Sequence, residues 1–344
     1  MSPASFVVTR PIPESGLGSN LASLAGAWWL AKRLGRDLVV DWRGMVFLKD
    51  SSINYFTRYF QAVTHIEGVR VHYAPSTVAG DHLAEPPDRV RQVAAGEHKA
   101  LVAAGSAALP TYLVLSAYHG MNRMTGGESA ENQERERRVF EAVVLRPEVQ
   151  AKADAFYDAN FSDSFVVGVN IATGNLSPAG ARSYFGRFDT SILADHERFL
   201  RQLRRATQLC ARRIPLGLSG TRIFYSTESD WMAELLSRLP NARTRRRVFP
   251  PTGMGRFFAD YDSLGYNDVE ASEDMVIDHF LLSRCDALVY NGSMFNNYAR
   301  VMTGSFGGNA RNIESLYLRY WFRTASLRMR SVTAGLSRLS RRYG

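Results

Sequence analysis

Two patterns alternate along this chain: short apolar runs, and longer segments whose apolar positions recur at helical spacing. Residues 6–8 predict a strand, and residues 11–18 predict a loop rich in glycine and proline. Apolar side chains then recur at helical spacing at Leu21, Leu24, Ala25, Trp28 and Trp29. Gly35 stands where a helix C-cap is expected, and residues 37–42 predict a second strand. This order forms a βαβ unit, which builds parallel sheets.

The second half of the chain repeats this alternation more clearly than the middle does. Residues 74–110 predict no defined element, and residues 134–156 predict a helix that Pro147 interrupts. Residues 165–170 are a strongly apolar run and predict a buried strand. The other predicted strands cover residues 113–115, 221–225 and 287–290, and the other predicted helices cover residues 192–213, 231–239, 275–283 and 295–302.

Because the alternation restarts near residue 160, the sequence predicts an α/β protein with two Rossmann-like domains, each built on a parallel sheet. A chain of 344 residues is long enough to form two hydrophobic cores. We place the N-terminal domain at residues 1–160, the C-terminal domain at residues 161–322 and a basic tail at residues 323–344.

The charge balance favours an anionic partner. The formal net charge is +9, and the arginine-rich tail supplies part of the excess. A net positive charge attracts nucleic acid, anionic lipid and phosphorylated substrates alike. The N-terminus has no secretory signal pattern, and the longest apolar run, residues 21–31, is too short to span a bilayer. With only two cysteines, these features predict a soluble cytoplasmic protein.

Candidate chemistry lies at four junctions where a predicted strand meets a predicted helix. The first junction contains Gly16 and Gly18. Glycine lets the backbone approach a phosphate closely, and a helix N-terminus attracts negative charge. A tight turn with Ser19 or Asn20 as the helix N-cap accounts for the same residues, and the motif alone does not decide between the two.

The other three junctions lie in the second half of the chain. In open α/β sheets, ligands bind outside the carboxyl ends of the strands. Each junction could be an ordinary turn or helix cap, but three in one half predict a nucleotide-binding cleft. The candidate residues are Asn170, Thr173, Gly174 and Asn175 after the first strand, Thr227 and Glu228 after the second, and Gly292, Ser293 and Phe295 after the third.

Motifs for several other kinds of site are missing from the sequence. The seven histidines form neither an HExxH motif nor a close set with cysteine, so no metal site is predicted. The chain has no GxSxG and no GxxxxGK[ST] motif, which argues against a serine hydrolase and a P-loop NTPase. His279 lies in an apolar helical run, where a core or surface position is expected. Four acidic residues lie just before or within the same predicted helix, namely Glu270, Glu273, Asp274 and Asp278. Acidic residues in the first turn of a helix usually only complement its dipole.

Six segments, in order and at similar spacing, resemble the bacterial nodulation α1,6-fucosyltransferase family over residues 6–302. They are GLGSNLASLAGAWWLAKRLGRDLVVDWRG, RRVFEAVVLRPEV, VVGVNIATGN, FYSTES, MVIDHFLLSRCDALVY and NGSMFNNYARVM. The resemblance implies a GT-B-like fold, with a cleft between an acceptor-side domain and a domain that binds a GDP-sugar. It also implies an inverting transfer that requires no metal and no other cofactor.

The family's functional positions fall on specific residues of this chain. The matching residues are Gly174 and Asn175 in the central motif, Thr227 after the second strand, Asp278 in the third segment, and Ser293 and Phe295 in the last. Glu228 stands where aspartate is usual.

Two further positions of the central motif depart from the family. Its histidine falls on Asn170, and its arginine, the main cation for the donor diphosphate, falls on Ala172. Loss of such a charge-assisted contact costs roughly 2–4 kcal/mol. Three interpretations remain open: Arg182 or Arg187 replaces the missing cation, the donor differs, or catalysis is lost.

The sequence therefore predicts a glycosyltransferase that moves fucose or another hexose from a nucleotide diphosphate, with GDP expected, to a hydroxyl of a glycan or glycoconjugate. Arg182 or Arg187 would stabilise the leaving diphosphate together with the backbone amides of Gly292 and Ser293. Candidates for the base that activates the acceptor hydroxyl are Glu14, Asp41 and Glu273.

The alternative is a catalytically inactive member of the family that binds a nucleotide or a glycan as a partner. The changes at Asn170 and Ala172 favour this alternative. The basic tail predicts peripheral contact with an anionic inner-membrane surface, where lipid-linked acceptors reside. Specific nucleic-acid binding is not expected, because the chain has no recognisable motif for it.

Overall fold

The structure is a computed structural model that describes residues 5–12, 15–94, 96–117, 120, 124–125, 129–173, 196–211, 220–245, 265, 267–291, 295–302 and 310–313. Its strands form two sheets. The first sheet contains β1 (Phe6–Thr9), β2 (Asp37–Val40), β3 (His65–Ile66), β4 (Val69–Tyr73), β5 (Val90–Gln92) and β6 (Tyr112–Leu115). The second contains β7 (Phe165–Asn170), β8 (Thr221–Ser226), β9 (Ala242–Arg243), β10 (Ala287–Tyr290) and β11 (Ala310–Asn312).

Both sheets are mostly or wholly parallel. The strand order is β3-β4-β2-β1-β6-β5 in the first sheet and β11-β10-β7-β8-β9 in the second. Only the β3–β4 pair is antiparallel among the described strands. The predicted α/β class with two parallel sheets is therefore confirmed. The division of the chain into domains at residue 160 stays a prediction.

Helices connect the strands. The described helices are α1 (Leu17–Leu34), α2 (Tyr55–Tyr59), α3 (His98–Ala104), α4 (Ala130–Glu141), α5 (Pro147–Phe161), α6 (His196–Ala211), α7 (Asp230–Ser237), α8 (Asp268–Ser283) and α9 (Phe295–Met302). Pro147 is the first residue of α5, so the predicted single helix over residues 134–156 is wrong. Two helices occur there because proline fits a first turn but not a helix interior.

Two helices begin earlier than predicted. Helix α1 begins at Leu17 with Gly16 as its N-cap, so the predicted caps Ser19 and Asn20 are wrong. Asn20 instead ties down the preceding loop, because its amide accepts from the Ile12 N–H at 2.9 Å and donates to the Gly16 carbonyl at 2.9 Å. Helix α8 begins seven residues before the predicted start, where Asn267 and Glu270 form a capping box.

One apolar core joins the helices of both halves. Buried side chains of α1, α5, α8 and α9 belong to the same cluster as β2 and the loop that follows it. Polar contacts reinforce the junction, because the Tyr59 hydroxyl donates to the Val269 carbonyl at 3.0 Å and the Lys49 N–H donates to the Asp268 carboxylate at 2.6 Å. Helix α8 of the second half is therefore anchored on the first half.

Candidate functional site

Three neighbouring strands of the second sheet end at the same level. In the parallel register, Asn170 of β7 pairs with Tyr290 of β10 on one side and with Ser226 of β8 on the other. The segments that follow these strands therefore lie side by side. This is the carboxyl edge at which parallel α/β sheets bind their ligands.

The segment after β7 is held by side chains from both neighbouring strand ends. Asn291 accepts from the Ala172 N–H at 3.1 Å and donates to the Ala172 carbonyl at 2.7 Å, which satisfies both polar groups of one peptide residue. From the other side, the Thr227 hydroxyl donates to the Ile171 carbonyl at 2.8 Å. This backbone is therefore fixed in one conformation before any ligand arrives.

Thr173 joins the same segment to the loop after β8. Its N–H donates to the Glu228 carboxylate at 2.5 Å, and its hydroxyl donates to Ser229 Oγ at 2.9 Å. Thr173 and Ser229 are fully buried, whereas Glu228 is half-buried. A carboxylate therefore lies at the surface of this strand end.

Asn170 contributes a buried acceptor whose hydrogen bonding is incomplete. Its Nδ2 donates to the Ser226 carbonyl at 3.0 Å, but its Oδ1 has no hydrogen-bond partner among the described residues. A buried polar atom left unpaired costs about 1–3 kcal/mol. This oxygen therefore marks a place where a donor from water or from a ligand would be stabilised.

Asp278 of α8 brings a buried carboxylate to the same strand ends. Its Oδ2 accepts from the Ser226 hydroxyl at 3.0 Å, and its Oδ1 lies 4.0 Å from Arg245 Nε. Arg245 also forms an ion pair with Asp274, one helical turn before Asp278. Together, these residues form what we call the strand-end network: Asn170, Ala172, Thr173, Ser226, Thr227, Glu228, Ser229, Arg245, Asp278 and Asn291.

The structure brings five of the predicted binding residues into this network, namely Asn170, Thr173, Thr227, Glu228 and Asp278. Gly174, Asn175, Arg182, Arg187, Gly292 and Ser293 lie outside the described residues. Phe295 is the first residue of α9, but its side chain is not described. Glu273 is separate from the network, because its carboxylate pairs with Lys152 of α5.

Four members of the network are not among the predicted binding residues: Ser226, Ser229, Arg245 and Asn291. Asn291 and Ser226 had a usable signal, since each stands at the end of a predicted strand. Arg245 had no such signal, because its position against Asp278 depends on the path of the chain beyond β9. Ser229 is the N-cap residue of α7, but its side chain makes no capping bond among the described residues.

Gly16 and Gly18 lie at the equivalent edge of the first sheet. Gly16 caps α1, and Gly18 is inside its first turn and is buried. The first amide groups of a helix have no partner within the helix and can bind an anion. Their role in ligand binding stays a prediction.

A buried charged cluster follows β1 and β2 at this edge. Asp41 is fully buried and accepts from Arg43 Nε at 2.8 Å and from Arg43 Nη2 at 2.9 Å. Arg10 Nη1 lies 3.5 Å from the same carboxylate, and His82 Nε2 lies 3.4 Å from it. Burial lowers the pKa of His82, although Asp41 opposes this effect. The cluster therefore pairs a neutral imidazole with a carboxylate held in place by arginine.

Within the described ranges, no three histidine, cysteine or carboxylate side chains are placed to hold a metal ion. Among the same residues, no helix combines the length and the apolar character needed to cross a bilayer.

Comparison with known proteins identifies relatives over most of the chain. A family model described as Nodulation protein Z (NodZ) matches residues 4–84 and 129–306. Nodulation protein Z of Bradyrhizobium diazoefficiens is 28% identical over an alignment of 316 positions, which covers 86% of this chain and 78% of that protein. All six segments of the predicted resemblance lie wholly or largely within the matched ranges.

Solved structures show the same fold. The crystal structure of the fucosyltransferase NodZ from Bradyrhizobium matches with a TM-score of 0.58 at 24% identity, over 87% of this chain and 92% of that one. A crystal structure of NodZ α-1,6-fucosyltransferase soaked with GDP-fucose matches with a TM-score of 0.57 at 23% identity and the same coverage. The predicted GT-B-like α/β fold is therefore confirmed.

Proposed function

This chain belongs to the nodulation protein Z (NodZ) family, and on that premise we propose that it is a glycosyltransferase. It moves fucose or another hexose from a nucleotide diphosphate donor, with GDP as the expected nucleotide, to a hydroxyl of a glycan or glycoconjugate. The GDP-fucose soaked into a related structure supports GDP as the nucleotide. No metal or other cofactor is required in this scheme.

One observation supports the donor site most strongly, namely the strand-end network. Three strand ends converge on one edge and present a buried carboxylate at Asp278 and, at Asn170 Oδ1, an acceptor that has no partner among the described residues. Acceptors of this kind are complementary to the N–H groups of a nucleotide base and to ribose hydroxyls. Thr227 and Asn291 hold the neighbouring backbone rigid, which reduces the entropy lost when a ligand binds.

The donor diphosphate needs positive or amide groups as it leaves. Ala172 and Asn170 supply no cation where the family resemblance places one. We assign this role to Arg182 or Arg187 together with the amides of Gly292 and Ser293. Arg245 is the cation that the described part of the network contains, but Asp274 and Asp278 offset its charge.

The acceptor hydroxyl needs a base on the other side of the cleft. Glu273 is paired with Lys152, and Glu14 lies outside the described residues. Of the three candidate carboxylates, Asp41 is described beside a histidine, with His82 Nε2 3.4 Å from its Oδ2. We therefore favour His82 as the base, with Asp41 orienting it, because a neutral imidazole can accept the hydroxyl proton near neutral pH.

The second candidate function is binding without catalysis. Ala172 favours it, because this residue has no charge at the position where the family resemblance places the cation for the donor diphosphate. Ala172 is 5% exposed, and Asn291 holds its N–H and its carbonyl. Such a protein would bind a nucleotide or a glycan as a partner. The cellular setting proposed for either function is the cytoplasm, with peripheral contact to the inner membrane where lipid-linked acceptors reside.

The two functions differ in turnover. We would incubate the protein with GDP-fucose and other sugar nucleotides, alone and with a panel of soluble oligosaccharides, and follow free nucleotide and glycosylated product by mass spectrometry. Transfer from at least one donor supports the enzyme. Asp278→Asn should then lower the rate, and Glu234→Gln, on the exposed face of α7, should leave it unchanged. Tight nucleotide binding without any turnover would instead support the binding protein.

A further inference from the structure

A pocket of about 360 Å³ lies between α1, α4 and the turn that joins β3 to β4. Helix α1 contributes Trp28, Trp29, Lys32 and Arg33 to its lining. The Trp28 indole N–H donates to the Ile66 carbonyl at 2.9 Å, and the Trp29 ring packs edge-on against His98 with the centroids 6.0 Å apart. The two indoles are therefore fixed apolar walls.

The two cations of α1 are held against these walls. Lys32 Nζ lies 4.9 Å from the centre of the Trp28 ring, and the Arg33 guanidinium lies 5.6 Å from that of Trp29. Lys32 also donates to the Glu67 carbonyl at 3.2 Å. Neither side chain forms an ion pair with any residue in the described part of the chain. Cation–π contacts thus position two charges that have no carboxylate within ion-pair distance in the described part of the chain.

Helix α4 adds Arg135 and Arg138 to the opposite wall. Arg135 pairs with Glu131, and Arg138 pairs with Glu134 and, at 3.6 Å, with Glu67. These charges are partly offset, so Lys32 and Arg33 dominate the positive character of the pocket. Four cations and one carboxylate line the pocket itself.

The pocket shares no residue with the strand-end network. Helix α1 begins at the carboxyl end of β1 and runs back, so residues 28–33 lie near the amino end of β2. The turn at residues 67–68 likewise precedes β4. The pocket therefore lies at the edge of the first sheet that is opposite to the carboxyl ends, where ligands of α/β sheets usually bind.

We propose that this pocket binds the phosphate headgroup of an acidic membrane lipid. Its unneutralised cations suit a phosphodiester, and its indole walls suit the apolar part of a lipid better than a free ion. Tryptophan is enriched at membrane interfaces, and clustered lysine and arginine are attracted to anionic leaflets. The overall net charge of +9 adds to this attraction. The site is separate from the donor site, so the inference does not depend on sugar transfer.

The test is cosedimentation of the full chain with vesicles of phosphatidylcholine alone or mixed with phosphatidylglycerol. Binding is expected only to the mixed vesicles. The variant Lys32→Glu/Arg33→Glu should bind them at least about tenfold more weakly, since each basic residue near an anionic surface contributes appreciably. The control Arg201→Glu/Arg205→Glu makes the same change of charge on exposed positions of α6 and should stay within about twofold of the original protein.

Other outcomes separate this site from nonspecific attraction. The milder variant Lys32→Gln/Arg33→Gln should also weaken binding, and melting temperatures would show that each variant is folded. Equal losses in the α6 control would overturn the proposal. It would also be overturned if removal of residues 323–344 abolished vesicle binding while Lys32→Glu/Arg33→Glu did not change it. Displacement of the vesicles by glycerol phosphate at low concentration would likewise overturn it, and so would binding of RNA in place of the vesicles with the same sensitivity to the variants.

Discussion

Asn291 is the residue on which the geometry of the central strand end depends most. Its side chain hydrogen-bonds both the N–H and the carbonyl of Ala172. The hydrophobic pattern shows only that a strand ends near Ala172. Residues 119 apart in sequence make this contact, so no local pattern could reveal it. The sequence predicted which strand ends lie side by side, but not how the backbone there is held.

Replacing Asn291 with alanine should therefore destabilise the protein. The change leaves a buried N–H and a buried carbonyl unpaired, at a cost of about 1–3 kcal/mol for each group. We expect the free energy of unfolding in urea to fall by about 2–4 kcal/mol, together with a loss of nucleotide affinity. Asn160→Ala, which removes a single bond to the Phe156 carbonyl at the end of α5, is the control and should cost about 1 kcal/mol or less. A change at Asn291 no larger than at Asn160 would contradict this account.

His279 is a second residue whose environment has a measurable consequence. It is fully buried on α8, its ring centre lies 4.8 Å from that of Tyr298, and burial lowers its pKa to about 3. In the unfolded chain its pKa is about 6.5. Between these values the unfolded state binds the proton more tightly than the folded state does. The free energy of unfolding therefore has its full value above about pH 6.5 and decreases as the pH falls towards 3.

The variant His279→Phe should lose this part of the acid sensitivity. Its free energy of unfolding should fall less between about pH 7 and about pH 4.5 than that of the original protein. His65→Phe, at an exposed position, serves as the control and should keep the original dependence. If the two variants showed the same pH profile, His279 would not be the neutral core residue described here.

At the scale of elements, the strands that the sequence predicted are mostly or wholly buried. Strands β1, β6 and β7 are buried along their whole length, and such runs are recognisable from composition alone. By contrast, β3, β5 and β9 have two or three residues each and lie at or next to sheet edges, so their polar positions conceal them. The short helix α2 was missed for the same reason, because five residues carry too little periodicity.

The packing of α8 on β7 depends on a glycine. A Cβ atom added at Gly168 would lie 3.2 Å from a methyl group of Leu282 in α8 and 3.0 Å from Sγ of Cys285, just after the helix. Both neighbours are buried, so they have little freedom to move away.

Gly168→Ala should therefore cost about 1–3 kcal/mol of stability, as other overpacked cores do. Urea unfolding measures this directly. For stability, Gly16→Ala is the control, since its added Cβ meets no atom within 4 Å and should change the free energy of unfolding by about 1 kcal/mol or less. A neutral result at Gly168 would show that α8 packs less closely on β7 than described.

At the scale of the whole molecule, the two sheets share one apolar core through α1, α8 and α9. Contacts from Tyr59 and Lys49 to the start of α8 add polar links across the same junction. The sequence predicted two halves, each with its own alternation, but the shared core depends on helix faces that meet only in the folded chain.

Because the core is continuous, the protein should unfold in one cooperative step. Differential scanning calorimetry should show a single transition whose calorimetric and van't Hoff enthalpies agree. Two resolved transitions would mean that the halves are independent units and that the contacts around α8 contribute little.

A thermal shift measurement with GDP, UDP, CDP and ADP tests whether the second half binds a nucleotide diphosphate at the strand-end network. GDP should raise the melting temperature most, since a ligand that binds only the folded state stabilises it. Asp278→Asn should lose much of this shift, while Glu234→Gln should keep it. A melting temperature unchanged by all four nucleotides, with the protein folded, would contradict the account.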